Sequence, residues 1–185
     1  MFLVAFVGLA FLSVPLLGGS VTRLAEVRIA HIWAVMVSLA LQIMVVTVMP
    51  DADPVGLAIV HVVSYLFAGY FLWANRRIPG VAIIAIGWAM NAIVISVNGG
   101  VMPATARAGD RGAGVADVFL NSRPLSSPRL SFLGDNFAMP ATWPIHNVFS
   151  VGDVFIALGA FVALHWICGS LVARTFDRLL RPSAT

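Results

Sequence analysis

Residues 150–173 read SVGDVFIALGAFVALHWICGSLVA, and this stretch decides the fold class. Asp153 near its start is its one acidic residue, and it contains neither lysine nor arginine. About 20 predominantly apolar residues are enough for an α-helix to cross the hydrocarbon core of a bilayer. The stretch therefore predicts a transmembrane helix.

The composition of the whole chain points the same way. Of its 185 residues, 60% are hydrophobic and only 10% are charged, with a mean hydropathy of +0.96. A soluble domain carries about 25% charged residues. So little charge leaves most of the surface to be covered by lipid, which predicts the bilayer as a partner and gives no reason to expect nucleic-acid binding.

Four further apolar segments lie upstream, separated by turns rich in glycine, proline and polar residues. We expect an all-α, polytopic membrane bundle that forms a single domain over residues 1–185. Its five transmembrane helices are predicted at residues 2–18, 29–49, 55–74, 80–97 and 150–173.

The arginines orient this bundle, since positive residues collect in cytoplasmic loops. The chain has eleven arginines and no lysine, and seven of them fall on one side of the predicted bundle. That bias predicts an N-terminus outside and a C-terminus inside. The seven are Arg23, Arg28, Arg76, Arg77, Arg174, Arg178 and Arg181.

The segment 98–149 between the last two predicted helices is much longer than a connection needs to be. It contains the apolar runs 118–120 and 130–133, which favour an ordered structure over disorder. We expect it to fold over the outer face of the bundle as a lid.

Asp153 has two interpretations. Ser150 followed by Asp153 before an apolar run is a capping box, in which the carboxylate accepts a hydrogen bond from a backbone N–H group. Alternatively, Asp153 and Asp135, 18 residues upstream, form a catalytic pair that shares a proton. For Asp135 the simpler reading is a turn residue in Gly134-Asp135-Asn136.

Other polar residues are candidates for binding substrate or for structure. Asn91 and Asn98 are seven residues apart and share a helix face, and Gly99 and Gly100 fit a helix C-terminal cap. His146, in the predicted outer loop, is a candidate ligand-binding residue. The other histidines are expected at different depths as helix-packing residues, so we predict no metal and no cofactor.

Two resemblances involve these residues. Asn98-Gly99-Gly100-Val101-Met102-Pro103, together with Gly152-Asp153-Val154-Phe155, looks like an uncharacterised family of small bacterial membrane proteins, a domain of unknown function of type 5317. This resemblance implies a multi-pass protein of the bacterial cytoplasmic membrane and brings no activity with it.

The C-terminal third also resembles signal peptidase II, an intramembrane aspartic peptidase. The matching residues are Phe149-Ser150-Val151-Gly152-Asp153, with Gly159 six residues further on, and Asp135 with Phe137 behind it. The Asn-x-x-Asp-Arg motif of that family is absent here, and the first helix is extra. The resemblance implies a catalytic role for Asp135 and Asp153.

Two functions of different class follow. In the first, which we favour, the chain is a non-catalytic accessory or complex subunit that contacts other membrane-protein subunits. In the second, it is an aspartic-peptidase-like enzyme in which one carboxyl group activates water, the other protonates the leaving amide, and Asn91 and Asn98 orient the substrate.

Overall fold

The structure is a computed structural model that describes residues 2–47, 54–104, 122–139 and 148–180. Helices dominate the described residues, as the sequence predicts. The described residues form six α-helices, which are α1 (Phe2–Leu16), α2 (Ile32–Thr47), α3 (Pro54–Ala74), α4 (Val81–Val97), α5 (Val151–Ile167) and α6 (Leu171–Leu180). Two short 3₁₀ helices cover Val21–Ala25 and Ser131–Leu133.

Each of the five predicted segments contains a helix, so the mostly helical fold is confirmed. The helices are for the most part shorter than the segments from which they were predicted. Within the described ranges, no helix has both the length and the apolar character required for a membrane crossing. The predicted transmembrane spans are therefore not supported by the helices of the structure.

The fifth predicted helix is wrong in its extent, because residues 150–173 form two helices instead of one. Helix α5 ends at Ile167, and α6 begins at Leu171 after a turn. Gly169 in that turn has a φ of 63°, a left-handed conformation that favours glycine. The guanidinium group of Arg23 fills the space that a β-carbon at Gly169 would need, so the turn is also closely packed.

The helices pack as neighbours in the order α2, α3, α4, α5, α1. The closest contact joins the antiparallel pair α4 and α5 through glycines. A β-carbon added to Gly87 would clash with the carbonyl oxygen of Gly152, and one added to Gly80 would clash with that of Gly159. Gly87 of α4 is seven residues after Gly80, which immediately precedes that helix. Gly159 is likewise seven residues after Gly152 in α5, so the glycines of each pair lie on one side of the helix.

The described residues between α4 and α5, which are 98–104, 122–139 and 148–150, fold against one end of the bundle. Strand β1 (Met102–Pro103) pairs in parallel with β2 (Ser122–Arg123). Strand β3 (Phe137–Ala138) pairs antiparallel with β4 (Val148–Phe149). These two-residue strands are an addition to the all-α prediction.

Apolar contacts hold this segment in place. Met102 is buried in a cluster with Val94 and Ile95 of α4, against which Tyr65 and Leu133 pack. At the start of α1, the ring of Phe2 stacks on that of Phe149 at a centroid distance of 4.2 Å. The two aspartates singled out in the sequence lie at this end of the molecule.

Candidate functional site

Asp153 lies in the first turn of α5 and takes part in the N-terminal cap of that helix. The Oγ atom of Ser150 accepts a hydrogen bond from the backbone N–H of Asp153, and Asp153 Oδ2 accepts one from the backbone N–H of Ser150, both at 3.0 Å. This reciprocal pair is a complete capping box. The local interpretation of Asp153 is therefore confirmed.

Asn91 of α4 joins the same group of atoms. Its Nδ2 donates to Asp153 Oδ1 at 2.9 Å, and its Oδ1 accepts from Ser150 Oγ at 2.9 Å. Asn91, Ser150 and Asp153 thus form a closed ring of hydrogen bonds, which we call the α4–α5 network. Gly152 makes the ring possible, because a β-carbon there would clash with Asn91 Oδ1.

Every side-chain oxygen and nitrogen atom of the three residues makes at least one hydrogen bond. Ser150 is fully buried, and its hydroxyl group both donates and accepts. Each carboxylate oxygen of Asp153 accepts one bond. This arrangement fixes the spacing of α4 and α5 at the end of the bundle next to residues 98–149, which we call the outer segment after its predicted position.

Asp135 lies in the outer segment and is 7% exposed. Ser122 Oγ donates to Asp135 Oδ2 at 2.6 Å, and the backbone N–H of Asp135 donates to the carbonyl oxygen of Pro103 at 2.9 Å. These contacts join strands β1 and β2 to the residues that follow the second 3₁₀ helix. Asp135 therefore has a tertiary role that its reading as a simple turn residue does not describe.

Burial raises the pKa of Asp135 to about 6. The hydrogen bond from Ser122 opposes this change by stabilising the carboxylate, and the negative charge of Asp153 adds to it. The two carboxyl groups are thus close enough to interact electrostatically. Tyr65 of α3 lies within electrostatic range of both.

The two carboxyl groups share no hydrogen bond. Both residues are among those that the structure describes, and each carboxyl group bonds to its own partners. A carboxyl pair that shares a proton requires direct contact between oxygens. In this conformation the two aspartates are neighbours, each held in a separate set of hydrogen bonds.

Asn98, at the C-terminal end of α4, is hydrogen-bonded to the backbone of Arg129 in the outer segment. Its Oδ1 accepts from the backbone N–H of Arg129 at 2.9 Å, and its Nδ2 donates to the carbonyl oxygen of Arg129 at 2.8 Å. Asn91 and Asn98, predicted to share a face of α4, therefore contact different parts of the molecule.

Gly99 and Gly100 end α4 as predicted. Both have positive φ angles, of 66° and 89°. The N–H of Gly100 donates to the carbonyl oxygen of Ile95, and that of Gly99 to Ser96, which is the Schellman pattern of a helix C-terminus.

The histidines include one candidate ligand-binding residue, His146, and the predicted helix-packing residue His165. His146 lies outside the described residues. His165 is fully buried, and its ring nitrogens bond to Ser13 Oγ at 3.0 Å and Ser170 Oγ at 2.8 Å, as expected of a helix-packing residue. In the described part of the chain, no three His, Cys, Asp or Glu side chains converge as metal ligands would.

Two features of the site were missed in the sequence. Ser122 holds Asp135, yet no sequence pattern distinguishes it from the other serines of the segment. Gly87 and Gly152 admit the close helix contact, and their seven-residue spacings from Gly80 and Gly159 were a usable signal.

Comparison with known proteins places the site within a family. Residues 26–165, which include Asn91, Asp135 and Asp153, match a family of unknown function, DUF5317. An uncharacterized protein of Thermotoga maritima is 31% identical over 96 residues, which cover 50% of this chain and 54% of the relative. The chain thus matches about half the length of that relative, and no solved structure matches it. The chain belongs to DUF5317, a family of unknown function.

Proposed function

We propose that this chain is a multi-pass protein of the bacterial cytoplasmic membrane, with its N-terminus outside, and that it acts as a non-catalytic accessory or complex subunit. The membrane location is supported first by composition, since only 10% of the residues are charged. A water-exposed surface requires far more charge than this.

Exposed apolar side chains give further support. Leu66 is 65% exposed and Leu16 83% exposed, and large apolar residues are exposed on all of the first five helices. Soluble monomers rarely expose contiguous apolar patches beyond a few hundred Å².

Helix α3, with 21 residues, is about 31 Å long, and the 15 to 17 residues of α1, α2, α4 and α5 correspond to about 22–26 Å. Local bilayer thinning accommodates helices that are shorter than the hydrocarbon core.

The location is tested by alkaline extraction of membranes that contain the full chain, combined with a C-terminal reporter that is active only in the cytoplasm. We expect the protein to stay in the membrane pellet and the reporter to be active. Release of the protein into the aqueous fraction would contradict the proposal.

The hydrogen bonds of the Asp153 carboxylate are the observation that supports the non-catalytic role. Its two carboxylate oxygens accept hydrogen bonds from Ser150 and Asn91, so they stabilise a helix terminus and a helix pair. A catalytic carboxylate must instead reach substrate or water. The outer segment, fixed on the bundle by Asn98 and Asp135, is then a contact surface for another subunit.

This role is tested in a strain that lacks the chromosomal gene. We expect the loss of the chain to lower the level of its partner among the membrane proteins. We also expect that a plasmid copy carrying Asp135→Asn, which preserves the shape of the side chain, restores that level. Failure of this variant, at a normal amount of folded protein, would favour chemistry at Asp135.

An aspartic-peptidase-like activity is the second candidate, and one observation favours it. Asp135 is a buried carboxyl group with a pKa raised to about 6, partly by the charge of Asp153. A movement of the outer segment that brings the two carboxyl groups into contact would create an acid and a base in one site.

This second candidate is tested with purified protein in detergent and a fluorescently labelled prolipoprotein-type peptide. Cleavage by the wild type that disappears in both Asp135→Asn and Asp153→Asn would establish it. Cleavage that persists in either variant would be due to a contaminant.

A further inference from the structure

One face of α3 carries a continuous stripe of apolar and aromatic side chains that ends in arginines. Val63, Leu66, Phe67 and Tyr70 follow one another at helical spacing, and Trp73 comes one turn later. Arg76 and Arg77 follow directly after the helix. Residues 66–80 contain no aspartate or glutamate, so the charge at this end of the stripe is positive.

Helix α2 turns this stripe into a groove. The ring of Trp33 lies 6.1 Å from that of Phe67 and 6.0 Å from that of Tyr70, measured between centroids. The groove has a volume of about 360 Å³ and is lined by Trp33, Val63, Leu66, Phe67 and Tyr70. Trp33 is 52% exposed, so the groove opens away from the bundle.

Arg76 is held at the end of the stripe by aromatic contacts. The rings of Tyr70 and Trp73 are stacked with a centroid distance of 6.2 Å, and the Cζ atom of Arg76 lies 4.5 Å above the ring of Trp73. Arg76 Nη1 donates to the carbonyl oxygen of Trp73 at 2.7 Å. The guanidinium group is exposed, and its remaining N–H groups are donors of the kind that bind phosphate.

The length of the stripe matches one leaflet of a bilayer. Val63 and Trp73 are ten residues apart, which corresponds to about 15 Å along the helix. Half of the hydrocarbon core is also about 15 Å thick. A phospholipid whose acyl chain lies along the stripe therefore has its phosphate group beside Arg76 and Arg77.

We propose that the groove between α2 and α3 binds a single anionic phospholipid from the leaflet on the arginine side, with an acyl chain against Val63–Tyr70 and the phosphate group at Arg76 and Arg77. This inference rests on the proposed membrane location. It does not depend on whether the chain is an accessory subunit or an enzyme.

Native mass spectrometry of the full chain, released from nanodiscs of equal parts phosphatidylglycerol and phosphatidylcholine, tests the proposal. We expect one phosphatidylglycerol to remain bound in preference to phosphatidylcholine. Each arginine that contacts the phosphate group of the bound lipid is expected to contribute about a fivefold preference for anionic lipid. The double variant Arg76→Gln/Arg77→Gln should therefore lower the ratio of retained phosphatidylglycerol to phosphatidylcholine by fivefold or more.

Two matched comparisons separate binding in the groove from a general attraction of lipid. Arg174→Gln removes an exposed arginine of α6, outside the groove, and should leave the retained lipid unchanged. Leu66→Trp fills the groove and should displace the lipid, whereas Leu158→Trp adds the same bulk at an exposed position of α5 and should not.

The outcomes distinguish this proposal from the membrane location on which it rests. A chain that enters nanodiscs and retains both lipids equally overturns the lipid site alone. So does a preference for phosphatidylglycerol that survives Arg76→Gln/Arg77→Gln or falls equally in Arg174→Gln. A chain that does not enter nanodiscs overturns the membrane location and the lipid site together.

Discussion

The α4–α5 pair and the α2–α3 pair are both antiparallel helix pairs, but they are held in different ways. Between α4 and α5, glycines bring the backbones into contact and the α4–α5 network forms hydrogen bonds of 2.9–3.0 Å. Between α2 and α3, Gln42 Nε2 approaches the hydroxyl group of Ser64 at 3.5 Å, and large aromatic rings leave an open groove.

The two helix pairs are therefore expected to differ in how much structural change they tolerate. Backbone contact and paired polar groups tolerate little change, because a new atom clashes or a buried polar group loses its partner. Rings and long hydrogen bonds allow adjustment. The α4–α5 pair is therefore the rigid element that supports the outer segment, and the α2–α3 pair offers the adaptable surface on which we place the lipid.

The largest expected effect comes from breaking the α4–α5 network. Asp153→Ala removes a helix cap and leaves Asn91 Nδ2 without its acceptor. A lost cap costs about 1 kcal/mol, and an unsatisfied polar group costs about 1–3 kcal/mol. We expect the free energy of unfolding in detergent to fall by about 3 kcal/mol.

A double-mutant cycle with Asn91→Ala tests whether the network acts as a unit. The two substitutions together should cost clearly less than the sum of their separate effects. Strict additivity would mean that Asn91 and Asp153 do not act on each other.

A matched pair of glycine substitutions tests the backbone contact. Gly87→Ala introduces a β-carbon that clashes with the carbonyl oxygen of Gly152, whereas Gly8→Ala in α1 meets no atom within 4 Å. We expect Gly87→Ala to lower the free energy of unfolding by about 2 kcal/mol. Gly8→Ala should raise it by up to about 1 kcal/mol, because alanine favours the helix. Equal effects from the two substitutions would contradict the close contact.

The pH dependence of stability sharpens the comparison at the outer segment. The folded-state pKa of Asp135, about 6, lies above its ordinary value of 3.8, so the folded protein binds the proton more tightly than the unfolded chain does. The resulting stabilisation is complete below about pH 4 and is lost as the pH rises through 6.

We expect a loss of about 2 kcal/mol between pH 4 and pH 7 from this group, since one pKa unit corresponds to about 1.4 kcal/mol. The difference in free energy of unfolding between the wild type and Asp135→Asn, measured across this range, isolates it from other titrating groups. A constant difference at all pH values would show that the pKa of Asp135 is ordinary.

The smallest effect is expected between α2 and α3. Gln42→Met keeps the length of the side chain and removes hydrogen bonds of 3.5 Å. Polar contacts between membrane helices contribute about 0.6 kcal/mol on average. We expect a change in the free energy of unfolding of this size or smaller. A loss as large as that of Asp153→Ala would remove the contrast between the two pairs.

The sequence by itself determined the features that depend on neighbours along the chain. The five apolar segments each contain a helix, Ser150 and Asp153 form the predicted capping box, and Gly99 and Gly100 end α4. These features follow from bonds between residues a few positions apart, so their signal is local. The break at Gly169 was missed because glycine also occurs within helices, and its packing against Arg23 is a tertiary contact.

Only the tertiary structure decided which distant groups meet. Asn91 bonds to Asp153 across 62 residues of chain, and Asn98 bonds to Arg129 across 31. Asp135 was considered both as a turn residue and as a partner of Asp153, and its carboxyl group bonds to Ser122. Hydrogen bonds of this kind form only where helix packing brings two backbones close enough together. Between α4 and α5 the distance between the two backbones depends on glycine contacts at several positions at once. A glycine spacing indicates that a helix can pack closely but not which side chains it then meets, which is why the sequence identified the polar residues of the site but not their partners.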